Sequence, residues 1–60
     1  MKYSLSNNKT TNDLNQARAW AQADSLQTPK TIIIIDTTDL SGLGMVVAIA
    51  KNGNLTNFQV

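Results

Sequence analysis

The sequence predicts an α+β fold in the order β-α-β-β-β, with one helix packed on a three- or four-stranded, mainly antiparallel sheet. Three observations carry this expectation. One stretch, residues 14–26, has the composition of a helix; four consecutive isoleucines, Ile32 to Ile35, suit a strand; and Asn52-Gly53 separates two further strand-like runs. Asparagine followed by glycine tolerates the positive φ that both central positions of a type I′ turn require, so this pair reads as a hairpin tip. A chain of 60 residues fits one small domain, 1–60. A domain of that size buries only roughly 60% of the surface its unfolded chain exposes, so association with another molecule would strengthen it considerably.

The elements follow in order. Lys2 to Ser6 alternates polar and apolar residues, as a half-buried strand does, with Tyr3 and Leu5 facing inward. Asn7-Asn8-Lys9 reads as a turn. Thr10-Thr11-Asn12-Asp13 fits a capping box, in which the Thr10 hydroxyl accepts from the Asp13 N–H and the Asp13 carboxylate reaches back. The helix body, Leu14 to about Leu26, contains neither glycine nor proline, and Leu14, Ala17, Trp20, Ala21 and Ala23 fall on one half of its circumference. Asp24 intrudes on that face close to the negative end of the helix dipole, which predicts fraying or a partner such as Lys30. Trp20, flanked by alanines, reads as core filling between helix and sheet. Pro29 then ends the helix.

Successive strand residues point to opposite faces, so Ile32 and Ile34 share one face and Ile33 and Ile35 the other. A single helix covers one face only. The first strand, the helix and the isoleucine strand suit a right-handed βαβ unit. After Asp36, the segment Thr37 to Gly44 reads as a loop. In the final hairpin, pairing Lys51 with Asn54 sets Ala50 against Leu55, Ile49 against Thr56, Ala48 against Asn57, Val47 against Phe58 and Val46 against Gln59. Met45, Val47, Ile49, Phe58 and Val60 then form the expected core face. Val46, Ala48, Ala50, Leu55, Asn57 and Gln59 form a small-sided, half-polar face that one isoleucine pair would join, and apolar patches of this kind mark interaction sites.

The composition narrows the chemistry. The chain has neither cysteine nor histidine, which removes thiolate nucleophiles, the commonest general base and the commonest zinc ligands. Five basic residues, Lys2, Lys9, Arg18, Lys30 and Lys51, are spread along a chain of net charge +1, against the clustered charge expected of a nucleic-acid binder. No apolar run reaches the length of a membrane span, and Met1 to Asn8 lacks the apolar core of a signal peptide, so the expectation is a soluble, cytoplasmic protein.

Asp36-Thr37-Thr38-Asp39 is the one constellation that suggests chemistry, because two carboxylates beside hydroxyls suit a magnesium or calcium ion. Turn preferences favour a plainer role, in which the aspartates cap loop N–H groups. This apolar strand, Asp-Thr-Thr, glycine loop and second apolar strand resemble the first hairpin of the ribonuclease H-like and actin-like superfold over about 20 residues. The glycine that the phosphate loops carry between aspartate and threonines is missing, so the resemblance implies no catalytic role. Gly42 and Gly44 lack the third glycine and the following helix of a phosphate loop, and Ser41 has no evident base.

The sequence therefore favours a non-enzymatic interaction module, without cofactor or metal, that self-associates as a homodimer and binds or inhibits a larger protein. Its expected contact surface is Val46, Ala48, Ala50, Leu55, Asn57 and Gln59 with one pair from Ile32, Ile33, Ile34 and Ile35, or the uncharged C-terminal edge Leu55 to Val60. The size suits small accessory proteins of bacteria and phages. The alternatives are a small nucleic-acid-binding regulator and a metal-dependent enzyme fragment using Asp36 and Asp39.

Overall fold

The computed structural model describes residues 2–38 and 44–58. The elements run β1 (Tyr3–Leu5), β2 (Thr10–Thr11), α1 (Leu14–Gln27), β3 (Ile32–Asp36), β4 (Met45–Lys51) and β5 (Asn54–Asn57). The strands form one sheet in the order β2-β1-β3-β4-β5, and every neighbouring pair is antiparallel. One helix on an antiparallel sheet is the predicted α+β fold, with five strands in place of three or four.

The extra strand comes from the segment expected to cap the helix. Lys2 to Ser6 turns back on itself through Asn8, whose φ is 74°, and Thr10–Thr11 pairs with β1. Asparagine is among the few residues that take up this left-handed conformation readily. Its N–H reaches the Leu5 carbonyl at 3.0 Å, while the Leu5 N–H reaches the Lys9 carbonyl at 2.8 Å. Because the threonines belong to the sheet, the N-cap passes to Asp13. Its carboxylate accepts from the Asn15 N–H at 2.9 Å, and the Thr11 hydroxyl accepts from the Asp13 N–H at 3.1 Å. The expected capping box is thus replaced by a single aspartate cap, which satisfies a helix donor that has no partner within the helix.

The expected βαβ unit of β1, α1 and β3 is also corrected, since β1 and β3 run antiparallel. Both β2 and β3 run opposite to β1, so β2 and β3 are parallel to each other with β1 between them. Helix α1 therefore crosses over β1 to join them, which lays it across the sheet.

Packing is close where the side chains are small. Ala17, Ala21 and Ser25, one helical turn apart, are the fully covered helix residues, and Ala48 and Ala50 lie among them with 0% exposure. Tyr3, Leu5, Ile32, Ile34 and Val47 complete the core, with Leu14, Trp20 and Leu55 packed at its margin. Burying Ile32 and Ile34 contributes about 1.5–3 kcal/mol each before the entropy of folding is set against it. Trp20 is half-buried rather than central, and Ala23, also expected on the apolar face, is exposed.

The hairpin has the predicted register from Lys51–Asn54 to Ala48–Asn57, and its turn residues Asn52 and Gly53 both have positive φ, at 54° and 81°. Its faces are reversed from expectation for Ala48, Ile49, Ala50 and Leu55, while Val47 is buried as expected and Met45 and Phe58, expected in the core, are exposed. Ala48, Ala50 and Leu55 pack toward the helix, while Ile49 pairs with Ile33 on the opposite face. The physical reason is volume. An alanine stripe on the helix fits the Ala48 and Ala50 pair of β4 at short range, whereas Ile49 in their place would hold the helix away from the sheet; β3 carries isoleucine on both faces, so the choice rests on β4.

A β-bulge lets Val47 enter the core despite this alternation. Ile34 pairs with Ala48 and Ile35 with Val46, so Val47 is left without a partner on β3 and is buried beside Ala48. Among the described residues, no helix is long and apolar enough to cross a membrane.

Candidate protein-interaction face

Cross-strand partners lie on the same face of a sheet, so the pairing defines the side that the helix leaves uncovered. One row runs Thr10, Ser4, Ile35, Val46; the next runs Ile33, Ile49, Thr56; and Lys51 with Asn54 closes the hairpin end. The centre is four branched aliphatic residues, Ile33, Ile35, Val46 and Ile49, inside a frame of hydroxyl, amide and ammonium groups. The three isoleucines are half-buried by their neighbours, and Val46 is 44% exposed. Met45 and Phe58, 51% and 54% exposed, are near the end of the sheet that carries Val46, since the Phe58 N–H donates to the Val47 carbonyl at 2.9 Å.

The expected contact surface is corrected in part. Ile33, Ile35 and Val46 lie on the open face. Ile32, Ile34, Ala48 and Ala50 are buried under the helix, where no partner reaches them, and Leu55 is packed at the core margin. Asn57 is exposed at the outer edge of β5. Gln59 and Val60 lie outside the described residues, as do Asp39, Leu40, Ser41, Gly42 and Leu43. Ile49, Ser4 and Thr56 also lie on this face, beyond the residues expected there. The helix stripe Ala17-Ala21 was the available signal, because it demands small residues opposite and so points to Ala48 and Ala50 as the covered pair.

Asp36 closes a local turn. Its Oδ1 accepts from the Thr38 hydroxyl at 2.7 Å and the Thr38 N–H at 2.9 Å, and these bonds, the hydroxyl's foremost, hold its carboxyl below the ordinary value. Thr37 binds elsewhere, with its N–H and hydroxyl both donating to the Lys2 carbonyl at 2.8 and 2.9 Å. Among the described residues, no three side chains of the histidine, cysteine, aspartate or glutamate type come together as a metal site would require.

On the helix side, Asp24 is bound by two groups of the β1–β2 turn, the Lys9 ammonium at 2.8 Å and the Asn7 amide at 2.7 Å. Lys9, not Lys30, is its partner, and Lys9 also lies 5.6 Å from the centre of the Trp20 ring. The hydrogen bond from Lys9 is the largest influence holding the Asp24 carboxyl below its ordinary value, followed by that from Asn7.

A surface recess of about 310 Å³ is lined by Ser6, Asn7, Thr28, Lys30, Thr31 and Ile32. Two of its polar groups are already engaged, the Ser6 hydroxyl by the Ile33 N–H at 3.0 Å and the Asn7 amide by Asp24. The recess sits beside the C-terminal end of α1, where the helix dipole disfavours anions. The open face is therefore the feature of this surface with the clearest capacity to bind something, through apolar contact. No family model, no curated protein and no solved structure matches the chain.

Proposed function

We propose that this chain is a non-enzymatic interaction module that self-associates as a homodimer and binds or inhibits a larger protein. The observation that carries this reading is the uncovered centre of Ile33, Ile35, Val46 and Ile49 within a polar frame. Half-exposed branched aliphatics contribute little while they face water, and a partner that covers them gains about 25 cal/mol per Å² of apolar surface removed. A chain this short has particular need of that contribution. A cytoplasmic setting belongs to the same reading, and a chain without cysteine has no disulfide for a reducing compartment to break.

The test is solution mass by analytical ultracentrifugation across a dilution series. The expected result is a dimer that dissociates on dilution; a folded monomer at every concentration ends the self-association reading. Two substitutions check the face. Ile34→Lys places a charge under the helix and is expected to unfold the chain, whereas Ile33→Lys places it on the open face and is expected to leave the circular dichroism spectrum intact. The opposite pattern would return the open face to the other side of the sheet.

A further inference from the structure

The two edges of the sheet are unequally protected, and this difference deepens the self-association reading on which the present inference rests. Edge strands present unpaired N–H and C=O groups, and proteins usually blunt them with brevity, charge, proline or a bulge. At one edge β2 is only two residues long and follows Lys9. At the other, β5 is Asn-Leu-Thr-Asn, with no charge, no proline and no bulge in its pairing with β4.

The register shows which backbone groups β5 leaves free. Residues flanking a two-residue hairpin turn form a hydrogen-bonded pair, and such pairs alternate along an antiparallel ladder. Asn54 and Thr56 therefore bond inward to Lys51 and Ile49, and the Phe58 N–H continues the series by donating to Val47. The N–H and C=O of Leu55 and Asn57 point away from β4.

We propose that the occupant of this edge is a second copy of the chain, added antiparallel through β5 about a two-fold axis at Thr56. In that register Leu55 of each copy stands opposite Asn57 of the other, and the four outward N–H and C=O pairs satisfy one another. Thr56 meets Thr56 in the close, non-hydrogen-bonded position, a favourable cross-strand pairing. The exposed Phe58 of each copy comes opposite Asn54 of the other. Because β5 carries no charge, the symmetric pairing sets no like charges together, and an isologous contact closes at two subunits. The result is a ten-stranded sheet. On its open side the row Ile33, Ile49, Thr56 of one copy runs directly into the same row of the other, so the dimer offers a larger partner one surface twice as long. Pairing four residues buries well under the roughly 800 Å² per partner of a stable interface, so this dimer is a concentration-dependent one.

Three variants of the whole chain test the register. Asn57→Pro removes an outward N–H from an edge strand, a place where proline is tolerated. It is expected to stay folded and to sediment at the 6.5 kDa of one chain at concentrations where the unmodified chain sediments at twice that mass. Thr56→Cys introduces the sole cysteine at the axis, where cross-strand spacing suits a disulfide, and is expected to give a reducible covalent dimer under mild oxidation. Ile33→Lys, two strands from the edge, is expected to remain dimeric. A dimer that survives Asn57→Pro but is lost in Ile33→Lys overturns the edge pairing while leaving self-association standing. An unmodified chain that is monomeric throughout overturns both. Should Asn57→Pro fail to fold, Thr56→Lys replaces it, with two ammonium groups meeting at the axis, and persistence of the dimer in that variant overturns the proposal.

Discussion

At the scale of single residues, short polar links join elements distant in sequence. The hairpin tip is held to the helix at Gly53, whose N–H donates to the Ser25 hydroxyl at 2.8 Å and whose carbonyl accepts from the Gln22 amide at 3.0 Å. The Ser25 hydroxyl itself donates to the Gln22 carbonyl at 2.9 Å, which explains a fully buried serine within an alanine stripe. Asn52-Gly53 could be recognised as a turn from its two residues alone. Its docking on Ser25 could not, because nothing local in the sequence joins positions 28 residues apart. A Cβ at Gly53 would lie 2.5 Å from Cδ2 of Leu26, so this exposed side chain would have to shift to admit it. Gly53→Ala is expected to cost about 1–2 kcal/mol from its left-handed backbone alone, with the Leu26 clash adding to it. Urea denaturation measures this: in a Leu26→Ala background the cost should fall to the backbone part, and an unchanged cost would show that Leu26 plays no role.

At the scale of elements, the periodicities that identify strands and helices in the sequence were sufficient for β1, α1, β3, β4 and the start of β5. They were insufficient for β2, where a two-residue strand carries no period, and for the assignment of hairpin faces. Choosing between the faces required knowing that α1 approaches through Ala17 and Ala21, so that the smaller face of β4 is the covered one. The candidate site was therefore legible only in part: the sequence marks Val46 and an isoleucine pair without deciding which pair, and it assigns Ile49 to the core and Ala48 and Ala50 to the surface. The packing makes a quantitative distinction. Ala48→Leu adds volume at a fully covered position and is expected to destabilise by about 1–3 kcal/mol. Ile49→Ala, on the open face, is expected to cost less than Ile34→Ala, for which about 2–5 kcal/mol is the usual range. Chemical denaturation of the three variants decides the matter, and a larger loss from Ile49→Ala than from Ile34→Ala would contradict the face assignment.

At the scale of the whole molecule, two acidic groups with lowered pKa couple stability to pH. Asp24 is held down by Lys9 and Asn7, and Asp36 by Thr38. A carboxyl whose folded value lies below its unfolded one binds protons more readily when unfolded, so its contribution is complete above the ordinary value of 3.8 and is lost as pH falls through the folded value. Urea midpoints are therefore expected to be level near neutrality and to decline below the ordinary carboxylate range, with Asp24→Asn showing a shallower decline. An equally steep decline in that variant would remove Asp24 from the account. The same ion pair ties the β1–β2 turn to α1 across one junction of the molecule. The other junction is the β1–β3 seam, where Tyr3 stands opposite Asp36 with β2 and the whole helix between them in sequence. Every other strand pairing joins neighbours along the chain: β1 with β2, β3 with β4, β4 with β5. In kinetic terms the hairpin and the three-strand meander each close short loops, while the seam closes a long one and repays its entropy only after α1 has formed. Folding is therefore expected to wait on that seam, at a rate set by how soon β1 meets the isoleucines.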